Sequence, residues 1–142
     1  MSNKSGNPVA VFFYGGLINA AMQERVGVRP ERQVQAALCG YDITIRPYVN
    51  LHRSVGDQVF VVVMWLTHAE LDILYGQLKV RYRPAAVVVE SVEGSLIPAL
   101  CYFADEMADA PADEQHVRML LEPAQQLGFP DWYLRRIRSF LP

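Results

Sequence analysis

A pair of glycines directly after an apolar strand is the first feature of this sequence that could bind a ligand. Tyr14, Gly15, Gly16 and Leu17 follow a short apolar run that is rich in β-forming residues. Glycine lets the backbone approach a ligand closely, and successive exposed N–H groups can cradle a carboxylate. A glycine pair after a strand is equally typical of a plain turn. The residues alone therefore leave two interpretations open, a ligand-binding loop and a turn.

A second candidate is Tyr75, near the end of a short helix predicted for residues 67–76. Thr67 and Glu70 have the spacing of a capping box, in which a hydroxyl and a carboxylate each bond a free backbone N–H of the first turn. Tyr75 shares a helix face with two leucines of this segment. The tyrosine is therefore predicted to point inward, either as a site residue or as a core aromatic.

The remaining reactive side chains do not form a recognisable site. His52, His68 and His116 are scattered and lack metal-ligand spacing with the two cysteines. No phosphate loop, dinucleotide fingerprint or G-x-S-x-G elbow is present. We expect no metal and no cofactor. Cys39 and Cys101 each lie in an apolar, strand-like context, which predicts buried, reduced thiols.

In their order, three segments resemble the γ-glutamylcyclotransferase-like (AIG2-like) family. They are the apolar strand that runs into Tyr14, the helix that ends in Tyr75 and Gly76, and the Tyr82-Arg83-Pro84 segment before a valine-rich strand. The resemblance covers roughly residues 9–140. It implies an α+β fold, a small mixed β-barrel flanked by helices, within a single domain spanning 1–142.

The resemblance also implies a reaction. Enzymes of this family cyclise a γ-glutamyl group to 5-oxoproline and release an amine, and they carry a catalytic glutamate in an L-D-x-x-E-G helix end. The substrate's α-ammonium must lose a proton first, which a glutamate can accept. This chain has Tyr75 at that position. A tyrosine, with a reference pKa of about 10, is a poor base at neutral pH.

The family loop Tyr-Gly-(Ser/Thr)-(Leu/Asn) binds substrate through its backbone, and here Gly16 replaces the usual hydroxyl residue. Tyr82 matches a tyrosine that begins the strand after the catalytic helix, where it could line a pocket or simply pack. His116 falls where the cyclotransferase places a pocket tyrosine, so it is a candidate proton acceptor or a solvated helix-start residue. The implied substrate-binding residues are Tyr14, Gly15, Gly16, Leu17, Tyr82 and His116, with Tyr75 at the catalytic position.

Another carboxylate could in principle replace the missing glutamate. Glu70 is expected to be engaged in the helix cap and Asp72 to be structural, while Glu24 and Glu90 cannot be placed from the sequence. Two functions therefore stay open. The protein is either a γ-glutamylcyclotransferase-like enzyme with an altered base, or a non-catalytic protein that binds a small amine- or carboxylate-bearing ligand such as a γ-glutamyl compound.

Composition excludes several other classes. The chain has 142 residues, 51% hydrophobic and 20% charged, with a net charge of -2, which is typical of an ordered globular domain. Its one basic group, Arg135, Arg136 and Arg138, is interpreted as a solvated helix face, so no nucleic-acid partner is expected. No apolar run approaches the roughly 20 residues of a membrane span or suggests a signal peptide. A cytoplasmic location is the expectation, and the oligomeric state stays open.

The pattern of apolar residues and turn formers predicts five strand regions, short helices between strands and two C-terminal helices. This order favours an α+β fold over alternating βαβ units. Strands are expected at about 9–14, 34–45, 58–65, 83–90 and 96–103, a loop at 47–56, and helices at 19–26, 67–76, 113–127 and after Pro130.

Overall fold

Five strands and three helices make up the described part of the protein. The computed structural model describes residues 7–15, 18, 23–24, 27, 32–76, 81–105 and 107–142. The strands are β1 (Val9–Phe13), β2 (Gln33–Ile45), β3 (Val49–Leu66), β4 (Arg83–Ser91) and β5 (Leu96–Phe103), and the helices are α1 (His68–Gly76), α2 (Glu114–Gln126) and α3 (Asp131–Arg138).

The strands close into a barrel in the order β1-β3-β2-β4-β5. β1 is antiparallel to β3 but parallel to β5, where Val11 pairs with Leu100 and Phe12 with Cys101. All other neighbouring strands are antiparallel. The α+β class and the mixed barrel expected from the sequence are therefore confirmed.

The barrel interior and the helix contacts together bury the apolar runs of β1 and β3. A continuous apolar strand predicts burial on both faces, and Phe12, Phe13 and Met64 are accordingly at most 2% exposed. On the outer side, the Phe60 ring of β3 packs against the rings of Trp132 and Tyr133 of α3. The helices thus cover strand faces that would otherwise expose apolar side chains.

The predicted loop at 47–56 is wrong, because most of that segment belongs to β3. Ile45 pairs with Val49, so β2 and β3 form a long hairpin with a turn at 46–48. The ladder shifts register beside Gly40, which has φ +85°, a conformation that glycine adopts readily. The polar residues opposite this bulge resemble a loop in sequence, although the strand continues through them.

Two predictions about single side chains also need correction. Cys101 is buried, but Cys39 lies at the bulge and is exposed; both are free thiols. Of the three arginines on α3, Arg136 does not belong to a solvated face. Its guanidinium donates to the carboxylate of Asp42 on β2 at 2.8 Å, and this contact holds α3 against the barrel.

The helix predicted at 19–26 falls largely outside the described residues. Within that range, Gln23 and Glu24 are described, and both are helical. The C-terminal helices are confirmed. Asp113 caps α2 by accepting the His116 backbone N–H, and Pro123 lies inside that helix. None of the helices in the described ranges is long and apolar enough to cross a membrane.

The capping box at the start of α1 is confirmed. The Thr67 backbone N–H donates to Glu70 Oε1 at 3.0 Å, and the Glu70 N–H donates to Thr67 Oγ1 at 3.2 Å. Leu71 and Leu74 of the helix are each 2% exposed. The cap fixes where the helix begins, and the leucines fix which face lies against the barrel, so together they determine where Tyr75 is placed.

We predict that Thr67→Ala lowers the free energy of unfolding by about 1 kcal/mol, because it removes the acceptor for one N–H of the first turn. Thr67→Ser keeps the hydroxyl and is the matched control. Chemical denaturation of both variants measures the difference. Equal stability of the two variants would show that the cap does not stabilise this helix.

Candidate functional site

Tyr75 lies in a group of four aromatic rings, Phe13, Tyr75, Tyr82 and Tyr102, which we call the aromatic cluster. The Tyr75 ring stacks on Tyr102 with centroids 3.8 Å apart and an interplanar angle of 14°. It lies nearly parallel to Phe13 at 6.1 Å and tilted towards Tyr82 at 6.0 Å. Tyr75 is therefore surrounded by aromatic side chains from β1, from β5 and from Tyr82, the residue before β4.

Barrel closure positions two of these rings. Phe12 pairs with Cys101 across the parallel β1–β5 contact. The next residues, Phe13 and Tyr102, therefore lie side by side on the opposite face from that pair, because side chains alternate along a strand. α1 then brings Tyr75 onto both rings. The stacking follows from strand register together with the length of the capped helix.

Tyr14, the residue after β1, lies next to this region. It is 4% exposed, and its hydroxyl donates to the backbone carbonyl of Tyr102. Burial raises the pKa of Tyr14 well above its usual value, and the nearby Cys101, Tyr75 and Tyr82 raise it further. The polar ends of these side chains therefore lie close to one another.

The described tyrosines of this region and Cys101 have raised pKa values, which favour their protonated, neutral forms. Burial raises the pKa of Tyr75 well above 10, and Cys101 and Tyr102 add to the effect. Burial also raises the pKa of Tyr82 to about 12 and that of the Cys101 thiol above its usual range. A neutral phenol or thiol is a hydrogen-bond donor and a weak acceptor, so these groups can bind a ligand but are poorly suited to remove a proton.

Gly15 allows the chain after β1 to lie close to Val49 of β3. Its φ is not in the left-handed region, but a Cβ at this position would lie 2.5 Å from Val49 Cγ1. Its carbonyl accepts the Ile18 N–H at 3.1 Å, so the chain turns here. Gly16 and Leu17, the other predicted loop residues, lie outside the described part of the chain.

Val49 connects this region to the C-terminal helices. Its carbonyl accepts the Tyr82 hydroxyl at 2.7 Å, and its N–H donates to His116 Nε2 at 3.2 Å. The His116 ring also meets the edge of Tyr48, with centroids 5.4 Å apart. His116 is therefore part of a hydrogen-bonded arrangement behind Val49, and its described contacts do not include the Tyr75 ring.

Comparison with known proteins supports this architecture. Neither a family model nor a curated protein matches the sequence. Among solved structures, a γ-glutamyl cyclotransferase matches with TM-score 0.75 and 21% identity over 95% of this chain and 89% of its own. A yeast γ-glutamyl cyclotransferase specific to glutathione matches with TM-score 0.71 and 10% identity over 96% of each chain. YkqA from Bacillus subtilis gives TM-score 0.77 and 19% identity over 95% of this chain and 54% of its own.

The chain has the γ-glutamylcyclotransferase fold. The resemblance indicated by the three sequence motifs is thereby confirmed for the architecture. Sites are grafted onto folds, so the fold alone does not assign a reaction. The chemistry has to be judged from the side chains that this chain places in it.

The carboxylates considered as replacements for a catalytic glutamate lie elsewhere or are engaged. Glu70 serves the helix cap, Glu24 is exposed, and Glu90 lines a groove of about 160 Å³ between β2 and β4. Asp72 is exposed; burial raises the pKa of Tyr102, and the charge of Asp72 raises it further. Within the described ranges, no three His, Cys, Asp or Glu side chains group as metal ligands.

The structure brings Tyr14 and Tyr82, two of the predicted substrate-binding residues, close to Tyr75 at the predicted catalytic position. Gly15 directly follows Tyr14 in the chain. His116 reaches this group only through Val49. The sequence did not reveal Val49 or Tyr102. The role of Val49 depends on the β2–β3 hairpin, and that of Tyr102 depends on the parallel closure of the barrel. No local sequence pattern predicts either of these features.

We predict that Gly15→Ala destabilises the protein by about 1–3 kcal/mol, because its new Cβ would overlap Val49. Val49→Ala removes the opposing methyl groups, so the double variant should recover part of the loss, with a coupling energy of about 1 kcal/mol. Gly76→Ala is the control, since a Cβ there meets nothing within 4 Å. Additive effects of Gly15→Ala and Val49→Ala in chemical denaturation would contradict the close approach.

Proposed function

We propose that this protein binds a small amine- or carboxylate-bearing ligand beside the aromatic cluster and does not cyclise γ-glutamyl groups. One observation carries the proposal. The helix position that holds a catalytic glutamate in the resembling enzymes here holds Tyr75, stacked at 3.8 Å on Tyr102. A tyrosine side chain is bulkier than that of a glutamate, and its hydroxyl is a poor base at neutral pH.

The absence of a suitable base among the described residues supports the proposal that the protein does not cyclise γ-glutamyl groups. Cyclisation needs a proton acceptor within hydrogen-bond reach of the substrate's α-ammonium group. The hydroxyls of Tyr14 and Tyr82 donate to backbone carbonyls. His116 Nε2 already accepts a backbone N–H, and burial lowers the pKa of this histidine. None of these groups is free to act as the glutamate would.

The aromatic rings support the ligand class. Tyr75, Tyr82 and Tyr102 are each half-buried, so a ligand beside the aromatic cluster would meet the exposed part of these residues. An ammonium group over a tyrosine face gains about 0.5–2 kcal/mol, depending on how far it is desolvated. The adjoining loop at Gly15 is where backbone N–H groups would meet a carboxylate. A ligand with an amine, a carboxylate or both suits these neighbours.

The competing function is an active γ-glutamylcyclotransferase with a relocated base. Asp72 is the described carboxylate whose charge reaches the cluster, through its effect on the Tyr102 hydroxyl. It lies on the exposed face of α1, one residue after Leu71 of the buried face. For Asp72 to serve as the base, the substrate would have to lie outside the cluster.

We predict that the purified protein releases 5-oxoproline from γ-glutamyl dipeptides and γ-glutamylamines at least about 10²-fold more slowly than a γ-glutamyl cyclotransferase that retains its glutamate. Chromatographic detection of 5-oxoproline measures this, with such an enzyme as the positive control. Turnover at the control's rate would contradict the proposal. Loss of that turnover in Asp72→Asn would then identify the relocated base.

Binding is tested separately with the same γ-glutamyl compounds, a simple alkylamine and acetate as probes. Amide resonances of Gly15, Tyr75 and Tyr82 should shift on titration with at least one of the probes, while those of α3 should not. Saturable shifts without 5-oxoproline release support a binding protein. No shift with any probe up to millimolar concentration would count against the ligand class.

We further predict that Tyr75→Glu gives measurable 5-oxoproline release and lowers the free energy of unfolding by about 2–4 kcal/mol, since it removes a stacked ring from a packed cluster. Burial would raise the pKa of the new carboxyl, which suits a base near neutrality. Tyr75→Phe keeps the stacking and should stay inactive, with stability within about 1 kcal/mol of wild type.

Thermal melting reports whether each Tyr75 variant is folded, and the 5-oxoproline assay reports the chemistry. A folded Tyr75→Glu protein without activity would show that the surrounding site, including the Gly16 position, has diverged from catalysis as well. An active Tyr75→Phe protein would contradict the view that position 75 decides activity.

A further inference from the structure

One partly buried hydrogen bond joins the first turn of α2 to the start of β3. The Val49 N–H donates to His116 Nε2 at 3.2 Å. A backbone N–H can only donate, so this imidazole nitrogen must carry a free lone pair. His116 is therefore neutral in this arrangement, with its proton on Nδ1. The histidine is half-buried, and Val49 is 5% exposed.

Val49 also contacts two parts of the candidate site. Its carbonyl accepts the hydroxyl of Tyr82, a member of the aromatic cluster, at 2.7 Å. Its side chain lies so close to Gly15 that no Cβ fits between them. A displacement of Val49 would therefore change both the tyrosine and the turn that follows β1.

We infer that His116 is a pH-operated positioning residue, whose neutral Nε2 holds Val49 and whose protonation releases Val49 together with Tyr82 and Gly15. This inference rests on the hydrogen bonds and the close contact alone. It holds or fails independently of which ligand the site binds and of whether the protein is an enzyme.

The chemistry of the switch follows from donor and acceptor counts. An imidazolium carries N–H groups on both nitrogens. Protonation would therefore place the Nε2–H against the N–H of Val49, and two donors cannot form a hydrogen bond. The contact has to open by movement of the His116 ring or of Val49.

The groups around His116 determine the pH at which this happens. The Asp113 carboxylate, which accepts the backbone N–H of His116, favours the charged form, and the Tyr48 ring lies edge-on to the imidazole. Two further acids nearby in sequence are paired with arginines, Asp109 with Arg46 at 2.7 Å and Glu114 with Arg118 at 2.9 Å. Desolvation outweighs Asp113, so the pKa of His116 lies below its ordinary 6.5.

The sign of the pH dependence follows from linkage. Because the unfolded chain takes up this proton at a higher pH than the folded one, acid favours the unfolded state. The stabilising contribution of the partly buried, neutral imidazole is complete above about pH 6.5, the ordinary histidine pKa. It is lost progressively as the pH falls from there through the lower pKa of the folded protein.

NMR of the full chain between pH 8 and the onset of acid unfolding tests the inference. The expected result is that the His116 ring resonances and the amides of Val49, Tyr82 and Gly15 titrate with one midpoint below about pH 6.5. The Val49 amide proton should move upfield as its hydrogen bond is lost. A histidine that titrates without moving the Val49 amide would overturn the inference, and so would one that stays neutral until the protein unfolds.

Two substitutions separate this role from simple packing. In His116→Gln the amide oxygen can accept the Val49 N–H but does not titrate, so the variant should keep its stability at pH 7.5 and lose the pH-dependent shifts. His68→Gln, at an exposed position, is the control and should behave as wild type. Unchanged pH-dependent shifts in His116→Gln would overturn the inference.

Val49→Ala tests the path from His116 to the turn. It keeps both backbone hydrogen bonds of residue 49 but removes the methyl groups that touch Gly15. The Tyr82 amide should continue to titrate with His116, while the Gly15 amide should lose most of its shift. Equal titration of Gly15 in Val49→Ala and in wild type would rule out side-chain contact as the route.

Discussion

The parallel contact between β1 and β5 is the constraint on which the rest of the site depends. It consists of two registered pairs, Val11 with Leu100 and Phe12 with Cys101. Without it the sheet would stay open between its first and last strands. With it, Phe13 and Tyr102 become neighbours, although they are far apart in the chain. The capped helix α1 then completes the cluster by adding Tyr75, so the site is formed by the same contact that closes the fold.

Burial explains why this site is electrically neutral. An ionised group inside an apolar surrounding is costly unless it is paired, and the described neighbours of Tyr75 are aromatic rings and the Cys101 thiol. A tyrosine remains protonated there, whereas an unpartnered glutamate would have a raised pKa. In the resembling enzymes, the same pressure would make a glutamate a better base near neutrality. In this chain, burial keeps Tyr75 protonated, so the residue packs but does not accept a proton. Burial thus favours catalysis by a glutamate and opposes catalysis by a tyrosine at the same position.

The sequence predicted the structure well where an element depends on residues that are close together in the chain. The apolar periodicity predicted all five strands, and the Thr67–Glu70 spacing predicted a capping box that the structure confirms. The start of β3 was missed because strand pairing with β2 overrides the polar, turn-forming residues beyond Val49. Tyr102 and Val49 were missed because their roles depend on which strands become neighbours, and this information is distributed over the whole barrel. The roles predicted for Gly16 and Leu17 stay predictions.

His116 shows why residue type alone is a weak guide to chemistry. Its ordinary pKa made it the most reasonable substitute base in the sequence, and it does lie close to the candidate site. Its Nε2 lone pair, however, already accepts the Val49 N–H. Protonation of His116 would therefore change the position of Val49. Val49 in turn contacts Tyr82 and Gly15, which belong to the site. A titratable group can therefore affect this site without touching a ligand, provided that a rigid strand residue connects the two.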